Sequence, residues 1–458
     1  MAKNCAVILA AGDGTRMKSN HPKVLSEVLF KPMLNWSIDA ATSTDIDKIC
    51  IVTGYKKEEI ESTLSGDFTF VNQAERKGTG HAVKIASDFI HEFSDGHCLV
   101  LYGDNALIDS ETLNNAYSFH IENNNDATLI TADLPDPFGY GRIIKNDDGN
   151  VIKIIEEKDC SEENRKITEI NSGSYWFKTS SLLFALQKLS PNNSQHEYYL
   201  TDTVEILHNN KLKVDTYITD NNYVVLGAND NIQLASLNEI ARTNTLHKHM
   251  LNGVNIPIKD GIIIGPDAVL GADTVILPGT IIRGSVTIGN DCIIGPNSFI
   301  ENSTIGNNVN LNNVQCYKST VEDNVTVGPF TQIRPDCIIR KGAKIGDFVE
   351  LKNSEIGIGT KVPHLTYVGD SDVGSNVNFG CGCVTVNYDG VNKNRCKVGN
   401  NAFIGCNTNL VAPVEVGDFA YTAAGSTITD NIPADALAIA RQRQINKDGW
   451  VTKKRPKK

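Results

Sequence analysis

Ile264-Gly265-Pro266-Asp267-Ala268-Val269-Leu270-Gly271-Ala272-Asp273-Thr274-Val275-Ile276 repeats in blocks of six: an aliphatic residue, a glycine directly after it, and a small residue four places on. The aliphatic position continues through Ile282, Ile288, Ile294 and Ile300, with Gly289 and Gly295 behind it and Thr280, Ser298 and Thr304 at the small position. A second phase runs Val321, Val327, Ile333, Ile339, Ile345, Leu351, and a third Val398, Ile404, Leu410, Val416. A period of six is neither helical nor a simple alternation. It marks a parallel β-helix, in which one aliphatic residue per short face points into a narrow stacked core. The spacing is 21 residues from Ile300 to Val321, 22 from Leu351 to Val373 and 19 from Phe379 to Val398. None is a multiple of six, so each break is expected to bulge out as a loop or to alter the coil. The second contains Pro363-His364 and the third Asn387-Tyr388-Asp389-Gly390; loops held by a rigid scaffold are where chemistry concentrates.

Upstream the pattern changes. An apolar stripe at Ile232, Leu234, Leu237, Ile240 and Ala241 predicts a helix over about 230–250, which divides the chain into 1–229, a linker helix and 251–458. Before it, short apolar runs at 5–9, 48–52 and 98–102 alternate with helical candidates around 32–42, 58–64 and 80–89. That is the βαβ rhythm of an α/β doubly wound, Rossmann-like sheet, whose ligands bind outside the carboxyl ends of the strands. Gly12-Asp13-Gly14-Thr15-Arg16 follows the first run and Gly103-Asp104 the third.

The totals bound the function. At 458 residues the chain exceeds one ordinary core, and 40% hydrophobic with 21% charged residues fits a globular protein. A formal net charge of −11 repels phosphate backbones and argues against nucleic acid as a partner. The 11 cysteines are odd in number, scattered and without a small secreted framework, which points to a reducing cytoplasm. Lys3 and the apolar run 5–11 have the outline of a signal peptide. The run meets Gly12-Asp13-Gly14 in place of a cleavage site, however, and reads as a buried first strand. No apolar stretch approaches the roughly 20 residues of a spanning helix, so no membrane partner is expected. The tail Lys453-Lys454-Arg455-Pro456-Lys457-Lys458 reads either as a solvated end or as an arm beside an anionic cofactor.

The run Leu9-Ala10-Ala11-Gly12-Asp13-Gly14-Thr15-Arg16, with Pro22-Lys23 after it, is glycine-rich and ends in two cations. Its glycines let backbone N–H groups approach phosphate oxygens that Arg16 and Lys23 neutralise. Gly-Lys-Ser/Thr is absent, so it is not a P-loop, and Met17 stands where a dinucleotide fingerprint has its third glycine. The run resembles the nucleotide-binding signature of sugar-1-phosphate nucleotidyltransferases. With Gln73, Gly78-Thr79-Gly80-His81-Ala82 and Tyr102-Gly103-Asp104, nearly the whole chain resembles a bifunctional bacterial family. Its members are N-acetylglucosamine-1-phosphate uridylyltransferases and glucosamine-1-phosphate N-acetyltransferases.

The resemblance implies UTP and N-acetylglucosamine-1-phosphate as substrates, UDP-N-acetylglucosamine as product, and Mg²⁺ held by Asp104 and Asn229. Leu9, Ala10, Ala11 and Gly12 would line the nucleotide, with Lys23, Gln73, Gly78 and Thr79. Tyr102, Gly103, Gly141, Glu156 and Asn171 would contact the nucleotide-sugar. Arg16, Lys23 and the metal would stabilise charge during in-line attack on the α-phosphorus, a reaction that needs positioning more than covalent chemistry.

For the second half the resemblance implies a left-handed coil, a homotrimer, and acetyl transfer from acetyl-CoA to glucosamine-1-phosphate. An imidazole, with an unperturbed pKa of about 6.5, suits taking a proton from an attacking amine; the matched motif makes His364 that base. Arg334, Lys352, Tyr367 and Asn378 would surround the amino sugar, and Asn387, Tyr388, Ala424 and Arg441 the acetyl-CoA. Glu350, two residues before Lys352, is the expected orienting partner of His364. Cys381 stands where the family has a small Ala and Cys406 where it has Ser, both at acetyl-CoA positions. Cys381-Gly382-Cys383 with Cys396 and Cys406 also allows a zinc site, but the spacing is not a Cys-x₂₋₄-Cys pair, and small buried residues lining the coil are the simpler account. The competing readings are a monofunctional pyrophosphorylase with a regulatory or oligomerising β-helix, and a trimeric scaffold without activity. The first gives no reason for His364 or the Asn387-Tyr388 loop, the second none for gathering Gly12, Arg16, Lys23, Asp104 and Asn229.

Overall fold

A computed structural model describes residues 3–455; Pro456, Lys457 and Lys458 of the basic tail lie outside the described residues. The chain forms two compact units, Met1–Thr243 and Asn244–Lys458. The division falls within a helix, Asn231–Leu251.

One sheet of nine strands organises the first unit: β1 (Cys5–Leu9), β2 (Lys48–Thr53), β3 (Phe68–Asn72), β4 (His97–Tyr102), β5 (Ala127–Asp133), β6 (Arg142–Lys145), β7 (Val151–Ile155), β8 (Glu169–Lys178) and β9 (Val214–Ile218). The order is β9-β5-β8-β4-β1-β2-β3, with the β6–β7 hairpin attached to β8. Cys5, Val7, Cys50, Val52, Cys98 and Val100 feed one core, and their neighbours Ala6, Ile8, Ile49, Ile51, Leu99 and Leu101 the opposite one. Period-two alternation between two buried faces is why these strands read as continuous apolar runs. The sheet is mixed, because β8 runs antiparallel between β4 and β5. Its polar residues Asn171, Ser172 and Ser174 are buried, so no continuous apolar run marks its full length. β8 slips register between Asn171 and Tyr175. Gly173 sits there at φ +78, where a Cβ would lie 2.5 Å from the Tyr102 ring, so the bulge closes on that ring only with glycine.

β1 pairs in parallel with β2 on one side and β4 on the other, which makes the β1/β4 boundary the topological switch point. Leu9 is in register with Tyr102, and Gly103 N donates to Leu9 O at 2.9 Å. The glycine-rich loop and Asp104 therefore leave the sheet side by side.

Behind the sheet, fully buried His120 meets Thr128 Oγ1 at 2.9 Å through Nδ1 and His97 Nδ1 at 3.0 Å through Nε2. Burial, with the His97 ring second, pushes the His120 imidazole down to about 3. Between about pH 3 and the ordinary histidine value of about 6.5 the unfolded chain therefore binds a proton that the folded unit refuses. The stability is fully present above about 6.5 and is lost as pH falls toward 3, by up to about 1.4 kcal/mol per pH unit from this residue. His120→Gln should flatten the fall between pH 7 and 5 in urea unfolding followed by the buried Trp176; an identical fall in variant and parent would count against it.

The second unit winds into three parallel sheets of ten, nine and ten short strands. The first face carries Ile264, Ile282, Ile300, Cys316, Ile333, Leu351 and Val368 in one column, the second Leu270 to Val416, the third Ile276 to Ile404. These aliphatic side chains make one continuous buried core. The small residue of a block sits at a corner, and where it is threonine its hydroxyl satisfies the backbone there: Thr274 Oγ1 donates to Gly289 O at 2.8 Å and Thr280 Oγ1 to Leu277 O at 2.7 Å.

The first two phase breaks are not loops. Ile300 to Ile305, Leu311 to Cys316, Cys316 to Val321, Leu351 to Ile356 and Val368 to Val373 each join successive inward positions across five residues in place of six. The corners lose a residue while the columns stay aligned. His364 accordingly ends a regular strand, Lys361–His364, correcting the expectation that it projects in a loop. Only the third break protrudes: Asn394 N donates to Asn387 O at 2.8 Å and Tyr388 bridges to Lys393, closing an excursion off the coil.

Candidate active sites

The first site is a cavity of about 410 Å³ at the switch point, walled by the 9–16 loop, Lys23, Gln73, Gly78, Thr79, Tyr102, Asp104 and Asn229. Gly14 has φ +56, and a Cβ there would collide with Lys23 Cβ; glycine at this place lets the loop lie against the lysine. Lys23 Nζ ion-pairs with Asp104 Oδ2 and donates to Asn229 Oδ1 at 2.8 Å, and Arg16 Nη2 donates to the same oxygen at 2.8 Å. Side chains from three distant stretches of sequence thus converge on one point. Asp104 and Asn229 present two hard oxygens to a single cation, here the Lys23 ammonium. That donor set suits Mg²⁺, which binds one or two protein oxygens and completes its shell with water and phosphate.

Gln73 Nε2 donates to Gly78 O at 3.0 Å, and Thr79 Oγ1 accepts from Leu200 N at 3.1 Å, fixing the turn before the helix Thr79–Ile85. Ala10, Gly103, Gly141, Glu156 and Asn171 do not line this cavity. Ala10 is buried and Gly103 is held against Leu9. Asn171 N donates to Gly141 O at 2.9 Å and its Nδ2 to the Tyr175 hydroxyl at 2.6 Å, while Glu156 acts on the Tyr102 phenol. Burial raises the Glu156 carboxyl, although Thr201 Oγ1 donates to it at 3.0 Å. Burial, with Glu156 next, raises the Tyr102 phenol as well. Arg76 escaped the sequence reading; it lines the cavity and pairs with Asp13 of the glycine-rich loop at 2.6 Å. Nothing in the local sequence signals it.

The second site lies where the third face of the coil turns into the first. Asp347 is in register with His364. Continuing the ladder from Lys361↔Asn378, Phe379↔Ile404 and Ile404↔Thr422 stacks His364, Cys381, Cys406 and Ala424 in that same column. The bonds Gly382 N to Leu365 O, Asn407 N to Cys381 O and Gly425 N to Cys406 O carry the register around the corner. His364 Nδ1 meets Asp347 Oδ1 at 2.7 Å, so Nε2 is the nitrogen left to face a ligand. Hydrogen bonding from His364 lowers the Asp347 carboxyl. The expected partner Glu350 instead receives Arg334 Nη1 at 2.9 Å: Glu350 belongs to the first face, whereas Asp347 sits one strand below His364. A count of one coil back from His364 would have found it.

Around the corner, Lys352 Nζ donates to Asp370 Oδ2 at 2.8 Å, Asn353 Nδ2 to Asp370 Oδ1 at 2.7 Å, and Asn387 Nδ2 also to Asp370. Burial alone would raise the Asp370 carboxyl, but these donors outweigh it and hold it low. Asn387 Nδ2 lies 3.4 Å from the Tyr367 hydroxyl. Asn378 shares the third face with His364. Tyr388 is exposed and donates to Gly390 O at 2.6 Å. Arg441 Cδ lies 3.8 Å from where a Cβ on Gly425 would stand, which puts it beside Ala424. Cys383 and Cys396 are buried as expected of coil-lining residues, whereas Cys381 and Cys406 are exposed, a correction to that account. Among the described residues no three His, Cys, Asp or Glu side chains group as metal ligands.

Residues 5–240 match the nucleotidyl transferase family, and 267–302 and 318–353 match the bacterial transferase hexapeptide (six repeats) family. A protein of Acetivibrio thermocellus called bifunctional protein GlmU is 49% identical over 449 residues, covering 98% of this chain and 97% of its own. Proteins of the same name from Caldanaerobacter subterraneus subsp. tengcongensis and Streptococcus agalactiae are 48% and 45% identical, each over 98% of both chains.

Proposed function

This chain belongs to the bifunctional GlmU family, and from that premise we propose that its switch-point cavity transfers UMP from UTP to N-acetylglucosamine-1-phosphate while its coil acetylates glucosamine-1-phosphate from acetyl-CoA. The product is UDP-N-acetylglucosamine. The observation that carries two activities is the pairing of Asp347 with His364 on a coil that also carries the Lys352–Asp370 cluster; a passive coil has use for neither. Residues 1–229 form the uridylyltransferase, 230–250 the connecting helix and 251–458 the acetyltransferase.

At the first site the 9–12 backbone, Gln73, Gly78 and Thr79 hold the nucleotide, and Tyr102, Gly103, Gly141, Glu156 and Asn171 the sugar. Arg16 and Lys23 neutralise charge that develops as the sugar-phosphate oxygen attacks the α-phosphorus and pyrophosphate leaves. Mg²⁺ on Asp104 and Asn229 would supply further charge neutralisation on the phosphates.

At the second site His364 Nε2 takes the proton from the sugar amine as it attacks the thioester carbonyl. Arg334, Lys352, Tyr367 and Asn378 hold the sugar; Cys381, Asn387, Tyr388, Cys406, Ala424 and Arg441 hold the acetyl donor. Asp347 is a positioning residue, fixing the tautomer and supporting the imidazolium. Asp347→Asn is expected to lower kcat for acetyl transfer by roughly 10–10³-fold, short of losing the base itself, with KM for both substrates little changed. A rise in KM at constant kcat would reassign it to substrate binding.

A homotrimer is supported by the corner beside His364. Phe330, Phe348 and Leu365 stand in line there, all well exposed and all with positive φ, and the two rings stack at 5.5 Å. Left-handed backbone costs non-glycine residues on the order of 1–2 kcal/mol, and an apolar ladder held so in water is explained by burial against another copy. Eleven free thiols support a cytoplasmic location, and no helix among the described residues is long and apolar enough to cross a membrane. Two assays on the purified protein test the whole reading: pyrophosphate release from UTP with N-acetylglucosamine-1-phosphate, and thiol release from acetyl-CoA with glucosamine-1-phosphate. Absence of either activity in the intact protein would reject it.

A further inference from the structure

Eleven cysteines are distributed very unevenly with respect to solvent: nine are buried and two, Cys381 and Cys406, are exposed. Those two are register partners on adjacent coils, by continuation of Phe379↔Ile404, and the ladder runs through them with Asn407 N donating to Cys381 O at 2.8 Å. Neighbouring strands stand about 4.8 Å apart, inside the Cα separation of about 4.4–6.8 Å that a disulfide spans. A Cβ on Gly380 would stand 2.4 Å from Cys406 N and 2.9 Å from its Sγ, so the Cys406 backbone and thiol both lie directly against the preceding coil beside Cys381. Glycine at 380 leaves that space open. The neighbouring thiols do not compete. Cys383 Sγ donates to Gly405 O at 3.1 Å and Cys396 Sγ to Leu410 O at 3.8 Å, and burial pushes each up to about 11, so both remain protonated.

We infer that Cys381 and Cys406 form a thiol–disulfide site, closed by low-molecular-weight disulfides and reopened by thiols, that shuts off acetyl transfer while sparing uridylyl transfer. The chemistry balances. The thiolate of Cys381 attacks one sulfur of the small disulfide and expels the first small thiolate. Cys406 then attacks Cys381 Sγ in the mixed disulfide and expels the second. Two electrons pass from the protein to the small disulfide, and the two cysteine protons end on the released thiols. Cys381 is the entry point because His364, the nearest proton acceptor in the column, is its neighbour on the preceding coil, while Cys406 lies on the far side as the resolving thiol. The effect on activity rests on the reading of this column as the acetyl-donor track. The bridge lies between His364 and Ala424, and pulling two side chains together there removes the surface on which the donor lies.

The test uses the full-length protein with glutathione disulfide as the probe. Peptide mapping by mass spectrometry should find Cys381 joined to Cys406 with the loss of two hydrogens. Acetyl transfer should fall roughly 10²-fold, as for a reacting group displaced by about 1 Å, and return with dithiothreitol, while pyrophosphate release stays constant. Cys381→Ala and Cys406→Ser, each compared only with its own reduced form, should carry at most a glutathione adduct and no cross-link. Two separate adducts on the parent protein without a cross-link, or an equal loss in the double variant, would overturn the inference. A cross-link in a protein whose reduced form shows no acetyl transfer would retire the switch together with the donor-track reading, and so separates the two failures.

Discussion

Replacing His364 with alanine is expected to cut acetyl transfer to glucosamine-1-phosphate by about 10²–10⁴-fold, the usual worth of a positioned general base. Uridylyl transfer should not change. His364 Nδ1 is taken by Asp347 at 2.7 Å, so the imidazole has one free nitrogen and a fixed ring, and no other described histidine lies in that column. The fall should appear in kcat, because other side chains are proposed to bind the sugar and the donor. Raising pH should recover part of the lost rate, since a deprotonated amine needs less help. Retention of more than about a tenth of the parent rate at neutral pH would exclude His364 as the base.

Asp104→Asn is the matching experiment at the other site. It should reduce pyrophosphate release by roughly 10³-fold or more while leaving acetyl transfer intact. The substitution keeps an oxygen at the position but removes its charge, and with it both the ion pair to Lys23 and the one carboxylate in the Asp104–Asn229 donor set. The Mg²⁺ concentration giving half-maximal rate should therefore rise steeply. If the loss occurs at unchanged Mg²⁺ dependence, Asp104 serves by holding Lys23 and not by binding metal. Loss of both activities with the fold intact would contradict two independent sites.

How much of this was legible in the sequence follows from what each signal records. The period of six records a side chain pointing inward once per face, so the coil could be read without ambiguity. The same periodicity says nothing of corner length, and for that reason the two five-residue corners around His364 read as a loop. The glycine-rich run and the apolar strands located the switch point, but strand β8 separates its buried Ile170 from Tyr175, Trp176 and Phe177 by the polar residues Asn171, Ser172 and Ser174, so no continuous apolar run marks its full length. Asp347, Asp370 and Arg76 were missed for one reason. Each acts through a neighbour that is adjacent only after the chain has coiled or the sheet has closed, and no local spacing encodes it. Glu350 was chosen over Asp347 by nearness along the chain, which counts for little when the next strand lies one coil away.

The column from Asp347 to Ala424 has a consequence for how the two sites come into being. Every contact in it closes a loop of one coil, so the acetyltransferase corner can assemble as a zipper once a few consecutive coils have formed. Arg16 and Asn229, by contrast, meet across 213 residues, and their cluster exists only when the entire first unit has closed. One site is thus built from short-range order, the other from a contact between the two ends of its unit. Partial unfolding is thereby expected to erase the nucleotide site all at once and the acetyl site rung by rung.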